Sequence, residues 1–191
     1  AWELDDYEAH LSQQEAWQDV SRLTDDIDRI NADTHYCIGF RAAGRIFMAA
    51  QEVRGAEQFL VDMALNPDYA HRLMEIRTAH TIRLLEKALP AARGKIDFVQ
   101  YNDDLGTQLD LLISPRMFHE FLLPRYRRIF KTVRRYGIRV FMHCCGAIRQ
   151  AIPDLIDAGV EILNPVQTRA RGMAADGLKR DFGEKLTFCG G

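Results

Sequence analysis

The sequence predicts an α/β fold, a parallel sheet covered by helices. Three observations predict it. Short apolar runs that read as strands alternate with amphipathic runs that read as helices, and the alternation becomes regular after Gly137. The strand-like runs are apolar throughout rather than alternating, the pattern of strands covered on both faces. The residues just past each run are polar, glycine or thiol, as expected where the C-terminal ends of parallel strands share one rim. Five such strands are readable. A closed eight-stranded barrel takes ~250 residues. The 191 residues of this chain therefore read as the middle of a (β/α)8 barrel, or as an open sheet if the chain is complete. Ala1 stands where an initiator Met is expected, and the chain stops as an apolar run enters Cys189-Gly190-Gly191. Both features predict an incomplete central fragment, one domain over residues 1–191.

In chain order, residues 1–14 read as polar and irregular, with Trp2 and Tyr7 as anchors. Ala16, Val20, Leu23, Ile27 and Ile30 recur every three to four residues, which predicts one amphipathic helix over 15–30. Residues 31–34 break it, and Tyr36 to Phe40 is the first strand. Helices are expected over 47–53 and 55–65. Asn66-Pro67 reads as a cap and first helical position, opening a helix that runs to about Leu89. Ile96 to Tyr101 is the second strand. Ser114-Pro115 starts a further helix, which Pro124 must kink or split. Its aromatic stripe of Phe118, Phe121, Tyr126 and Phe130 reads as core. Its Arg125, Arg127, Arg128, Arg134 and Arg135 read as a solvated face. The last three strands fall at 138–142, 160–163 and 186–189, separated by helices over 147–158 and 173–182.

A formal charge of −2 and 47% hydrophobic residues suit a globular domain and argue against an electrostatic nucleic-acid or membrane role. No apolar run approaches the ~20 residues of a membrane span, and no signal peptide is readable. Cys37, Cys144, Cys145 and Cys189 are too few for a disulfide scaffold. Free or metal-bound thiols in a reducing, cytoplasmic setting are expected.

The rim residues carry the chemistry. His143 and Cys145 stand two apart at the end of the third strand. Alternate side chains of an extended segment share a face, so both can reach one metal ion while Cys144 points away. Imidazole and thiolate are the donors zinc prefers, but two ligands do not complete a site. The competing reading is a strand-end His bonded to backbone beside two small buried thiols. Asp103 and Asp104 follow the second strand, as an ordinary turn or as a carboxylate aimed into the pocket; Asp104, beside Leu105-Gly106, is the candidate acid or base. Arg41 and Arg45 are surface charges or a clamp for a carboxylate or phosphate. Asn164 and Gln167 either satisfy loop backbone or orient a polar ligand, and Asn102 and Gln167 are candidates to bind substrate.

Several segments taken together resemble the uroporphyrinogen decarboxylase superfamily. They are Asn102-Asp103-Asp104-Leu105-Gly106-Thr107-Gln108, Ile113-Ser114-Pro115, His143-Cys144-Cys145-Gly146, Asn164-Pro165-Val166-Gln167, Phe182-Gly183 and Phe188-Cys189-Gly190-Gly191. The resemblance covers roughly residues 35–191 and implies a (β/α)8 barrel with its site at the C-terminal rim. One branch decarboxylates uroporphyrinogen III without a cofactor, in porphyrin (heme) biosynthesis, using an Asp and arginines. The other comprises cobalamin-dependent methyltransferases that bind zinc through a His-x-Cys pair and a later Cys, with a corrinoid protein as partner. By this resemblance His143 and Cys145 are zinc ligands, and a third ligand is expected outside the chain. The expected function is a zinc-assisted, corrinoid-dependent methyltransferase acting on a small molecule. Uroporphyrinogen decarboxylase and a non-catalytic binding member are the alternatives, and a homodimer is left open.

Overall fold

The structure is a computed structural model that describes residues 3–17, 19–42 and 44–191, with the side chains of residues 16 and 17 left out. Trp2 lies outside the described residues. Five strands form one sheet in the order β1-β2-β3-β4-β5: Gly39–Arg41, Phe98–Asn102, Arg139–His143, Ile162–Asn164 and Thr187–Phe188. Every neighbouring pair is parallel. Sequential parallel strands joined by helical crossovers are the repeating unit of a (β/α)8 barrel, and the sheet is an arc of one.

The helices are α1 (Leu4–Trp17), α2 (Leu23–Ile30), α3 (Ile46–Arg54), α4 (Ala56–Leu65), α5 (Pro67–Ala91), α6 (Pro115–Met117), α7 (Leu123–Arg134), α8 (Ile152–Ala158) and α9 (Ala175–Phe182). The 25-residue α5 packs against α1, α3, α4 and α7. One face of the sheet meets this layer. Val99, Tyr101, Val140, Met142 and Leu163 are all buried there. Tyr101 sets its ring edge-on to Tyr126 and Phe130 of α7, at 5.6 and 5.3 Å, and the aromatic stripe expected as core is core.

The other sheet face departs from expectation. Phe98, Gln100, Asn102, Phe141, His143, Ile162 and Asn164 alternate with the buried positions and are only half-buried. Phe98 and Phe141 stack across β2 and β3 at 5.1 Å. No helix of the described residues covers this face, which in a barrel is the interior. Apolar strands do not by themselves reveal how much of the barrel stands opposite them.

Other expectations are corrected too. Residues 4–17 are helical rather than irregular. The helix expected over 15–30 is interrupted between Trp17 and Leu23. Leu4, Tyr7 and Leu11 give α1 a thin apolar stripe that turns Tyr7 and Leu11 into the core. Polar contacts to α5 complete its docking: Arg83 and His80 both donate to Glu15. A helix this polar is marginal alone and takes its order from such packing. Arg125 is buried rather than solvated and donates to the carbonyls of Phe121 and His71. Its four companions in the run are exposed. The helix expected from Ala147 begins as a 3-10 turn at Arg149, and that expected from Met173 begins at Ala175. Ser114 caps as expected, accepting from the Met117 amide, whereas the Asn66 side chain makes no cap bond. The split at Pro124 takes the form of a π-helical stretch, Phe118–Leu122, ahead of α7.

Candidate metal centre at the strand ends

The two-residue alternation of β2 and β3 continues past their last residues, and this sorts the rim side chains. Asn102 and Asp104 face the open side, and Asp103 enters the helix layer. Likewise His143 and Cys145 face the open side while Cys144 is fully buried. Register then lines up Asn102, His143 and Asn164 across three strands.

Asp103 and Asp104 thus have separate tasks. The Asp103 carboxylate accepts from the amides of Phe47 and Met48, at 3.0 and 2.8 Å, and from the Tyr126 hydroxyl at 2.9 Å. It caps α3 from another part of the chain, because the N-cap residue Arg45 contributes no side-chain bond. Burial pushes its pKa up to about 6 against the pull of these donors. Asp104 instead accepts from the Cys145 amide at 2.8 Å.

Two glycines make that bond possible. Gly106 and Gly146 press backbone to backbone, so that a Cβ on Gly146 would lie 2.3 Å from the Gly106 carbonyl carbon. Gly146 also has φ +95°, a region open to glycine and strained for other residues. Ala147 donates to the Thr107 carbonyl at 2.7 Å, which pins the loops after β2 and β3 together. Gln167 of the next loop joins them, accepting from the Gly146 amide at 2.9 Å and from Gln108 at 3.1 Å.

Donor atoms of Asp104, His143 and Cys145 all lie within 4.8 Å of one another, and the three residues are half-buried. The proton on His143 is fixed by its neighbours. Asn164 donates its amide to the Cys189 carbonyl at 2.9 Å, which turns its oxygen to His143 Nδ1 at 2.7 Å. An amide oxygen only accepts, so Nδ1 carries a hydrogen and Nε2 is the nitrogen left to face a ligand. Nε2 stands 3.6 Å from Cys145 Sγ. Ligands of a tetrahedral zinc, at bonds of ~2.0–2.3 Å, stand roughly 3.3–3.8 Å apart, so this pair already has metal spacing. Imidazole, thiol and carboxylate suit a borderline-soft ion such as zinc. Burial and the charge of Asp104 raise the Cys145 thiol above its ordinary pKa. A cation between the two reverses that pressure, because a coordinated thiol is deprotonated.

Asp104 as a third donor was not read from the sequence. The signal was present, since a carboxylate at Asp104 and a thiol at Cys145 each stand two residues past a strand end, Asn102 and His143. Which loops touch, however, is a tertiary fact. Cys189 is exposed and its thiol is outside the group; its carbonyl serves Asn164.

The remaining predicted residues also converge. Arg41, Arg45 and Asn102 line one cavity of about 350 Å³ together with Ala42, Gly44 and Arg77. Arg45 pairs with Glu52 at 2.9 Å. Arg41 has no ion pair among the described residues. Arg77 comes from α5 and escaped the sequence reading because it sits in a helix rather than after a strand.

A parallel α/β arc with three metal-type donors at its C-terminal rim places the chain among the (β/α)8-barrel folds. The family model for uroporphyrinogen decarboxylase (URO-D) matches residues 12–190, and the chain belongs to that family. Among solved structures it is similar to a methyltransferase from Methanosarcina mazei, with a TM-score of 0.58 and 17% identity over 79% of this chain. At that identity the likeness shows the fold. The match spans 44% of the methyltransferase chain. No curated protein matches the sequence. No helix of the described residues is long and apolar enough to cross a membrane.

Proposed function

We propose that this chain carries the metal site of a zinc-assisted, corrinoid-dependent methyltransferase acting on a small molecule in the cytoplasm. The observation that supports this reading best is the convergence of Asp104, His143 and Cys145 beside a histidine whose tautomer is set for ligation. In this reading Asp104 supplies a third ligand alongside the expected His143 and Cys145. When bound, zinc supplies a Lewis acid that keeps a thiol acceptor deprotonated near neutral pH.

The rest belongs to the protein. Asn164 holds the Nδ1 proton of His143 and aims Nε2 at the site. Asp104 keeps the Cys145 backbone in place through its amide while presenting a carboxylate oxygen to the same space. Gln167 steadies Gly146, and with it the loop that carries Cys145. The three donors face the uncovered side of the sheet, so a metal held by them would be open to a substrate and a corrinoid protein from that side. The corrinoid partner itself rests on the family resemblance.

Metal analysis tests the reading. The purified protein is expected to bind one zinc per chain, and His143→Ala or Cys145→Ser to lose it. Absence of stoichiometric zinc, with methyl transfer from a methylated corrinoid protein unaffected by either substitution, would sink the proposal. The arginine-lined cavity favours a second reading, decarboxylation of an acidic tetrapyrrole. That activity would survive chelation and fail on Asp104→Ala.

A further inference from the structure

We propose that the groove between α7 and α8 is a binding site for a linear oligophosphate, held by Arg127, Lys131 and Arg134. It lies in the outer helix layer, toward the ends of α7 and α8 that lead into β3 and β4. The metal-type donors stand at the opposite ends of those strands, so the two sites are separate.

Helix α7 sorts its cations by face. Arg128 meets Glu75 of α5 at 2.7 Å, Arg135 meets Glu86 of α5 at 2.9 Å, and Arg125 donates to the His71 carbonyl of the same helix. Arg127, Lys131 and Arg134 recur at four- and three-residue intervals, which puts them on one strip of the helix surface. With Arg135, and with Asp157 and Ala158 of α8, they line a cavity of about 510 Å³. Asp157 is the only carboxylate in that lining. Among the described residues Arg127, Lys131, Arg134 and Asp157 take part in no ion pair.

Three like charges on one strip repel one another unless an anion lies along it. The chain as a whole carries a formal charge of −2, so the concentration is local and not a product of basic composition. The dipole at the end of α7 favours cations in its last turn, Lys131 and Arg134. It does not reach Arg127. Arg134 is also braced across the groove, because a Cβ on Gly159 would lie 2.9 Å from its Cδ.

Spacing selects the ligand. From Arg127 to Arg134 is seven residues, roughly 10 Å of helix. A single carboxylate or orthophosphate reaches one or two of these cations. A chain of phosphates carries charge along the strip and meets all three. Guanidinium forks match phosphate oxygens in geometry as well as charge. No aromatic ring is among the lining residues, so a nucleoside has nothing to stack on. The phosphate chain is the recognised element, whether inorganic or the tail of a nucleotide.

Calorimetry in magnesium-free buffer tests the site with tripolyphosphate, ATP and orthophosphate. Tripolyphosphate is expected to bind about ten-fold tighter than orthophosphate or more, the scale of one added charge-assisted interaction, and ATP about as tightly as tripolyphosphate. Arg127→Gln and Lys131→Gln should each weaken tripolyphosphate binding by about ten-fold. Arg128→Gln removes the same charge from the α5 side of the helix and should leave the affinity unchanged. Cys145→Ser should also bind as wild type does, which separates the groove from the metal-type rim. If Arg127→Gln fails to fold, Lys131→Gln carries the comparison. Absence of tripolyphosphate binding would overturn the site. So would a loss as large in Arg128→Gln as in Lys131→Gln, or an affinity that survives both groove substitutions. Much tighter binding of ATP than of tripolyphosphate would overturn the phosphate-chain assignment, as would displacement of tripolyphosphate by oligothymidylate at lower phosphate concentration.

Discussion

At the scale of single residues, the rim is held by side chains that bond one another and the loop backbone. Asn164 does its work through two bonds, one to the Cys189 carbonyl and one to His143 Nδ1. Removing it in Asn164→Ala frees the imidazole to rotate and to take the other tautomer. Zinc affinity should fall about 10–100-fold, measured by chelator competition, with the fold unchanged by circular dichroism. Gly146→Ala is expected to act differently. It forces a Cβ onto Gly106 at a backbone angle that only glycine tolerates readily. The strain, of order 1–3 kcal/mol, should appear as a lower unfolding temperature together with weakened metal binding, since the same loop carries Cys145.

At the scale of elements, α3 and α1 each add to their apolar packing a bond to one buried polar group, Asp103 and His80. Asp103 satisfies the amides of Phe47 and Met48 at the start of α3. Asp103→Ala leaves the buried Phe47 amide and the part-buried Met48 amide without this partner, at about 1–3 kcal/mol for a buried donor, and should loosen α3 first in hydrogen exchange. The α1–α5 junction carries the pH dependence. Burial pulls the His80 imidazole below its ordinary value of 6.5, against the attraction of Glu15. Burial of Glu15 opposes its ionisation, but hydrogen bonds from Arg83 and His80 outweigh that and hold the carboxyl below its usual 4.5. Both groups bind fewer protons in the folded chain than in the unfolded one, so stability rises with pH at each. Protection of α1 amides should therefore fall as pH drops below 6.5, and fall further through the carboxylate range. His80→Gln is expected to abolish the first of these steps and keep the second.

At the scale of the whole molecule, the sequence revealed the fold class because strand and helix periods alternate plainly from Tyr36 onward. The parallel order followed from those periods and from the short connections. The His143–Cys145 pairing was readable for the same reason, since alternation along a strand is a local rule that survives to the strand's end. Asp104 beside the His143–Cys145 pair, and Arg77 beside Arg41 and Arg45, were less readable. Each takes its place through contacts between segments far apart in sequence, which no local period encodes. α1 was missed because its apolar stripe is thin and its docking depends on Glu15 meeting α5. The inner sheet face was misjudged because apolar residues do not say what lies across from them. Metal binding should be visible at this scale too. Zinc at 100 times its Kd adds about 2.7 kcal/mol, which for a chain of this size means an upward shift of roughly 5–10 °C in unfolding temperature. The shift should disappear in Cys145→Ser.

The contact between Gly106 and Gly146 also bears on how this scaffold can be altered. Because two loops share one backbone surface, with the Ala147–Thr107 bond across it, neither can change length or path alone. An insertion between Asp104 and Asp110 would displace Cys145 even with residues 143–148 untouched. Anyone grafting a new specificity onto this rim has to transplant the segments 103–112 and 143–148 as a matched pair, and natural diversification of the two is expected to be concerted.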